Sequence, residues 1–205
     1  MALSIPDRVL VLDYGEVISR PPSHRARTAL AAVADVPLET FEAAYEQHRL
    51  ELDAGTLSVV GYWTAIGRLL GRSWSLPTIQ QLWALDFTSW LDVEPDVVDL
   101  LVELHDGGTR LALLSNAGFD FGDPFRTAPW STLMERIYLS AELGIVKPDP
   151  AIYQHVLDDL GIDSSDMVFV DNLLVNVEGA TSLGITGHHF TGVPGFRAFL
   201  EGLAQ

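Results

Sequence analysis

The chain has 205 residues, 48% of them hydrophobic and 20% charged. That balance excludes a disordered, collagen-like or coiled-coil chain and leaves room for one large domain or a core with an insertion. Twelve basic against 28 acidic residues give a net charge of −16, which disfavours nucleic acid and anionic membrane surfaces as partners. The excess is uneven: residues 1–90 carry −3 and residues 91–205 carry −13. There is no cysteine, so disulfides, thiolate metal sites and cysteine nucleophiles are excluded. No apolar run reaches the ~18–20 residues that cross a bilayer. Met1 to Arg8 has neither the basic nor the apolar stretch of a secretory leader. These features lead us to expect a cytoplasmic protein.

In chain order, Arg8 to Asp13 is a β-branched apolar run ending in an acid, the pattern of a buried parallel strand. Residues 17–91 then break the pattern. Helical periodicity covers roughly 24–34, 38–52, 58–70 and 77–89, with no convincing strand. Four of the five tryptophans (Trp63, Trp74, Trp83 and Trp90) fall here and are expected to pack in the core of this segment. After it, Glu94 to His105 reads as a helix stopped by Gly107-Gly108. Arg110 to Ser115 reads as a strand. Phe119, Phe121, Phe125 and Trp130 are expected to pack the next segment on the core. Arg136 to Ser140 is a short strand, Pro150 to Leu160 a helix stopped by Gly161, and Met167 to Asp171 a strand. Leu173 to Leu183 is a helix stopped by Gly184, and Ile185 to Phe190 a last strand that places His188-His189 near the surface. Strands alternating with helices predict an α/β fold with a doubly wound parallel sheet. The expected division is a core of residues 1–16 and 92–205 with a helical insertion at 17–91.

Ligands of such sheets bind at the carboxyl ends of the strands. Here those ends carry Asp13, Ser115-Asn116 and Asp171-Asn172. Each residue type also serves as an ordinary turn or cap. The chain has eleven arginines and one lysine, Lys147, and a compact ammonium is not interchangeable with a guanidinium fork.

Asp13-Tyr14-Gly15-Glu16-Val17-Ile18 resembles the first motif of the haloacid dehalogenase-like (HAD) hydrolases. Leu113 to Asn116 resembles the second and Gly144 to Pro150, containing Lys147, the third. Val168 to Asn172, followed by Asn176 and Gly179-Ala180, resembles the fourth. Leu52 to Ser58 with Tyr62-Trp63 is similar to the helical cap that one subgroup inserts between motifs one and two. Ile137 to Ser140 and Ile152 to Leu157 look most like bacterial sugar phosphatases of the glucose-1-phosphatase type.

The resemblance implies a Rossmann-like core with an inserted cap and hydrolysis of a small phosphorylated metabolite. Asp13 would be the nucleophile, forming an aspartyl-phosphate. Ser115, Asn116 and Lys147 would bind phosphate, with Lys147 also neutralising the nucleophile. Asp13, the carbonyl of Gly15, Asp171 and Asn172 would hold Mg²⁺, a cation suited to oxygen ligands.

Two positions depart from the family pattern. Gly15 stands where these phosphatases usually carry an acid–base Asp. Its neighbour Glu16 would point the other way along an extended segment. Asn172 replaces a second acid and removes one negative charge from the metal shell. Two other readings follow: a metal-free 2-haloacid dehalogenase using the same Asp13, or a HAD-like protein that binds a phosphorylated ligand without turnover. Arg20, His24 and Arg25 near motif one, and Glu46, His48, Arg49 and Asp53 in the insertion, are secondary candidates for substrate contact.

Overall fold

The computed structural model describes residues 3–5 and 7–204. Among them, five parallel strands form one sheet: β1 Val9–Leu12, β2 Arg110–Ser115, β3 Arg136–Leu139, β4 Met167–Asp171 and β5 Thr186–His189, in the order β3-β2-β1-β4-β5. Leu10 is in register with both Leu111 and Val168, and Leu12 with both Leu113 and Val170. The polar residues that follow these apolar runs are therefore brought to one edge of the sheet.

The two-residue period of the strands sorts the core. Leu10, Leu12, Leu111, Leu113, Val168 and Val170 face one buried cluster. Val9, Val11, Ala112, Leu114, Met167 and Phe169 face the other. Helix α6 (Pro95–Asp106) closes the first face with α11 (Val193–Leu203), and α9 (Pro150–Leu160) closes the second with α10 (Leu174–Thr181). Both faces are covered, as a parallel sheet requires. Three helices lie outside the sequence expectations: α7 (Gly122–Thr127), α8 (Ser140–Leu143) and α11. The first two are too short for a periodic signal. The third carries a legible stripe in Val193, Phe196, Leu200 and Leu203.

Between β1 and β2 lie α1 (His24–Ala34), α2 (Leu38–Tyr45), α3 (Arg49–Asp53), α4 (Val59–Leu69) and α5 (Leu76–Ser89). Ser23, Ser58 and Ser75 cap α1, α4 and α5 by accepting backbone N–H groups, which fixes where these helices start. The single helix expected over 38–52 is two, joined by a 3₁₀ turn at Glu46–His48. These helices share their own buried cluster around Phe41, Tyr62, Trp63, Ile66 and Leu82, with Trp74 and Trp83 packed against it. Trp90 differs from the expectation and packs on the sheet-side cluster with Phe87. The chain leaves and re-enters the sheet layer side by side: Arg20 N–H donates to Asp92 O (2.8 Å) and Glu94 N–H to Ile18 O (2.8 Å). Phe121, Phe125 and Trp130 are buried as expected, whereas Phe119 is 61% exposed. Among the described residues, no helix is long and apolar enough to cross a membrane.

Candidate active site

A cavity of about 360 Å³ opens at the carboxyl ends of β1, β2 and β4. Its floor is built around Lys147, whose side chain is 1% exposed. The ammonium sits 2.8 Å from Asp13 Oδ1 and 2.7 Å from Asp171 Oδ2, and donates to Leu114 O at 3.0 Å. An ammonium has three protons, so all three are engaged. Asn116 lines the cavity as well. It clamps the Lys147 backbone from both sides, donating to Lys147 O (3.0 Å) and accepting from Lys147 N–H (2.8 Å). Lys147 is thus positioned by β2 and, through its ammonium, fastened to β1 and β4.

Asp171 is fully buried and its oxygens are occupied. Oδ1 accepts from Leu173 N–H (2.8 Å) and Asn176 Nδ2 (3.1 Å), and Oδ2 accepts from Asn176 Nδ2 (3.0 Å) as well as Lys147. Burial, offset in part by Lys147 and reinforced by Asp171, leaves the Asp13 carboxyl pushed up to about 6. Burial alone would lower the Lys147 ammonium, but Asp13 and Asp171 together raise it, so it is charged. The floor therefore carries two carboxylates and one cation.

Ser115, Gly15 and Asn172 line the same cavity. So does Glu16, whose φ of 57° is left-handed. The segment after β1 turns rather than extends, so the alternation expected of Glu16 does not apply. A Cβ placed on Gly15 would meet Trp90 Cζ3 at 3.7 Å and Asp13 Oδ2 at 4.0 Å, both ordinary contacts.

The helical segment supplies the opposite wall through Tyr45, Glu46, Arg49 and Asp53. Arg49 Nε donates to Asp53 Oδ1 (3.1 Å), and Nη1 donates to Tyr45 Oη (2.8 Å) and Asp86 Oδ2 (3.4 Å). Burial pushes Asp53 up to about 6 against the pull of Arg49, and raises Asp86 in the same way. Two residues here escaped the sequence reading, Tyr45 and Asp86. Tyr45 precedes Arg49 by four residues, as the expected candidate Asp53 follows it by four, a detectable helical signal. Asp86 is 37 residues distant and left none. His48 pairs with Glu51 (3.3 Å), and Arg20 pairs with Glu94 (3.0 Å). Neither these two nor His24 or Arg25 lines the cavity.

Among the described residues, no three His, Asp or Glu side chains converge on a metal position. Asp13, whose Oδ1 is held by Lys147, lines the cavity together with Gly15 and Asn172, and these residues can offer a carboxylate oxygen, a backbone carbonyl and an amide oxygen. That donor set fits a cation held mainly by its water and an anionic substrate, the usual manner of Mg²⁺. Asp171, with both oxygens occupied, does not add to it in this arrangement and instead anchors Lys147.

The fold and site define an α/β enzyme whose candidate nucleophile is a carboxylate at the end of the central strand. The haloacid dehalogenase-like hydrolase family matches residues 66–188, and the chain belongs to that family. It is 26% identical to a D-ribitol-5-phosphate phosphatase of Bacteroides thetaiotaomicron over 189 residues, 85% of this chain and 87% of the relative. A HAD family enzyme of the same organism, solved with magnesium and inorganic phosphate, shares the fold. Its TM-score is 0.71 at 24% identity, over 88% of this chain and 92% of that one. The (S)-2-haloacid dehalogenase 4A of Burkholderia cepacia is 33% identical over 98 residues, only 46% of this chain and 41% of its own.

Lys147→Met would leave Asp13 and Asp171 buried without their cation, and breaking such a pair costs about 3–5 kcal/mol. We expect that loss in urea unfolding, and no recovery with Lys147→Arg, because the larger guanidinium cannot occupy a closed three-acceptor site. Asp53 gives a pH prediction. The folded chain holds its proton more tightly than the unfolded chain does, so stability falls as pH rises from about 4 through about 6 and is flat above. Relative to Asp53→Asn, the wild type should lose about 1–2 kcal/mol across that window, scaled from 1.36 kcal/mol per pKa unit. Parallel urea curves at pH 4.5 and 7 measure it.

Proposed function

We propose that the protein is a Mg²⁺-dependent phosphatase acting on a small phosphorylated metabolite through an aspartyl-phosphate on Asp13. The observation that carries this reading is the floor: Asp13 has one oxygen fixed by Lys147 and the other open to the cavity beside Ser115. A carboxylate held that way can attack in line without first losing a hydrogen bond. The likeness to a D-ribitol-5-phosphate phosphatase over most of both chains supports the same chemistry.

Asp13 Oδ2 attacks phosphorus, the phosphorus–alkoxide bond breaks, and the leaving oxygen takes a proton as the alcohol departs. Water then attacks the phosphorus of the acyl-phosphate, releasing inorganic phosphate and regenerating the carboxylate. Ser115 donates to a phosphoryl oxygen. Lys147 holds Asp13 ionised and aligned rather than binding phosphate itself. Mg²⁺, bound through Asp13, the Gly15 carbonyl and Asn172, would neutralise the charge of the phosphoryl group. The charge count supports that need, because a floor with two carboxylates and one ammonium repels an anionic phosphate unless a further cation is present. The same count weighs against the dehalogenase reading, whose carboxylate substrate would meet that repulsion with no metal. The helices of residues 17–91 act as the cap that closes the site.

Phosphate release from a panel of sugar and polyol monophosphates should require Mg²⁺, stop with EDTA and be lost in Asp13→Asn. Release unchanged in that variant would refute the mechanism. A second prediction follows from the space at Gly15. General acid–base help contributes ~10²–10⁴-fold, so Gly15→Asp should raise kcat at least about tenfold on substrates with poor leaving groups. It should do little for an aryl phosphate, whose leaving oxygen needs no proton.

A further inference from the structure

Two cations line the cavity, Lys147 and Arg49, and neither is available as a free positive charge. Lys147 has all three protons on Leu114, Asp13 and Asp171. Arg49 lies between Asp53 (3.1 Å) and Asp86 (3.4 Å) with its side chain 18% exposed. Its Nε and Nη1 are committed, which leaves Nη2 as a donor whose charge is already offset. Around it stand further acids. Glu46 and Glu16 line the cavity, and Asp120, which accepts from Trp83 Nε1 (2.7 Å), lies behind Asp53 and Asp86. A leaving group entering here meets carboxylate acceptors, one guanidinium edge, and the faces of Trp90, Phe121 and Phe125.

We propose that this wall selects substrate by charge: it admits monophosphates of uncharged, hydroxyl-bearing alcohols and rejects those whose leaving group carries a second anion, such as a carboxylate or another phosphate. Hydroxyls donate to the carboxylates and accept from Arg49 Nη2. A second anion finds no unpaired cation and faces an excess of negative charge at short range, where water screens it least. Asp86 acts through Arg49 as a positioning residue, offsetting the guanidinium charge and engaging Nη1 so that only Nη2 is left for the substrate. The inference rests on the phosphatase reading.

The test uses matched pairs with Mg²⁺: glycerol 3-phosphate against 3-phosphoglycerate, and ribose 5-phosphate against ribose 1,5-bisphosphate. p-Nitrophenyl phosphate serves as the reference. Each pair is read as a ratio of kcat/KM or, where turnover is slow, of Ki against the reference reaction. The expected ratio favours the singly phosphorylated alcohol by about tenfold or more. It should persist at 0.5 M NaCl, where the Debye length is only about 4 Å and the field of the distant surface charge is screened. In Asp86→Asn it should fall about threefold or more, and because both members of a pair are assayed on one preparation, loss of folded protein cancels. Reference hydrolysis with a ratio near one, a ratio that collapses in salt, or a ratio unmoved in Asp86→Asn overturns the charge selection alone. Absence of any Asp13-dependent hydrolysis, the reference included, overturns it together with the phosphatase reading.

Discussion

The structure depends on one buried ammonium. Lys147 is taken from water and repaid by two carboxylates and a carbonyl, each at 3.0 Å or less. Desolvating three charges costs several kcal/mol per ion unless the geometry is good and the remaining lone pairs are satisfied. Much of the surrounding sequence meets that condition. Asn116 fixes the Lys147 backbone and Asn176 holds both oxygens of Asp171. The Phe169 ring lies 5.5 Å from the ammonium, a favourable placement for a cation over a π face. Because Asp13 and Asp171 end β1 and β4, while Leu114 and Asn116 belong to β2 and its exit, the charge cluster and the strand register enforce each other. The residues to which the proposed mechanism assigns the chemistry are also those that fasten three strand ends together.

The cavity repeats this arrangement on its other side. Arg49 lies between Asp53 and Asp86 as Lys147 lies between Asp13 and Asp171. The two clusters are joined mechanically. The Ser140 hydroxyl donates to the backbone carbonyl of Asp53 and accepts from Ala117 N–H, joining the helical layer to the exit of β2. Trp83 of α5 donates to Asp120 on the sheet side. Each cluster has more carboxylates than cations, and the imbalance serves a different end in each. On the proposed reading, the floor calls for an added cation before an anionic phosphate binds, and the opposite wall offers acceptors to hydroxyls.

The sheet was legible because its signals are local. Apolar runs ending in Asp13, Ser115 and Asp171 announce strands and their functional ends together, and a single lysine among arginines stands out by composition. The helices of 17–91 were legible from periodicity. What stayed hidden was long-range or conformational. Asp86 on α5 meets Arg49 on α3 across 37 residues of sequence. The contribution of Asn116 is a clamp across 31 residues. Trp90 looks like its neighbours in sequence, yet it falls where the chain returns to the sheet and packs there. Glu16 was misplaced because alternation holds only for extended backbone, and a left-handed residue ends the extension.

That turn reshapes the catalytic problem. With Glu16 at φ 57°, the loop after Asp13 leaves room at Gly15 for a side chain, the position at which the family resemblance leads one to expect a carboxylic acid. A group there would protonate the leaving oxygen, and its absence forgoes an effect of ~10²–10⁴-fold. What the proposed mechanism retains is alignment and charge: Asp13 with one oxygen held by Lys147, a hydroxyl at Ser115, and the proposed cation site of modest charge. Proton transfer is the smaller share of such catalysis when the leaving oxygen is already a weak base, and the larger share when it is an alkoxide. The geometry at Gly15 therefore ties the rate of this enzyme to the acidity of the alcohol it releases more closely than in a relative with the second acid in place.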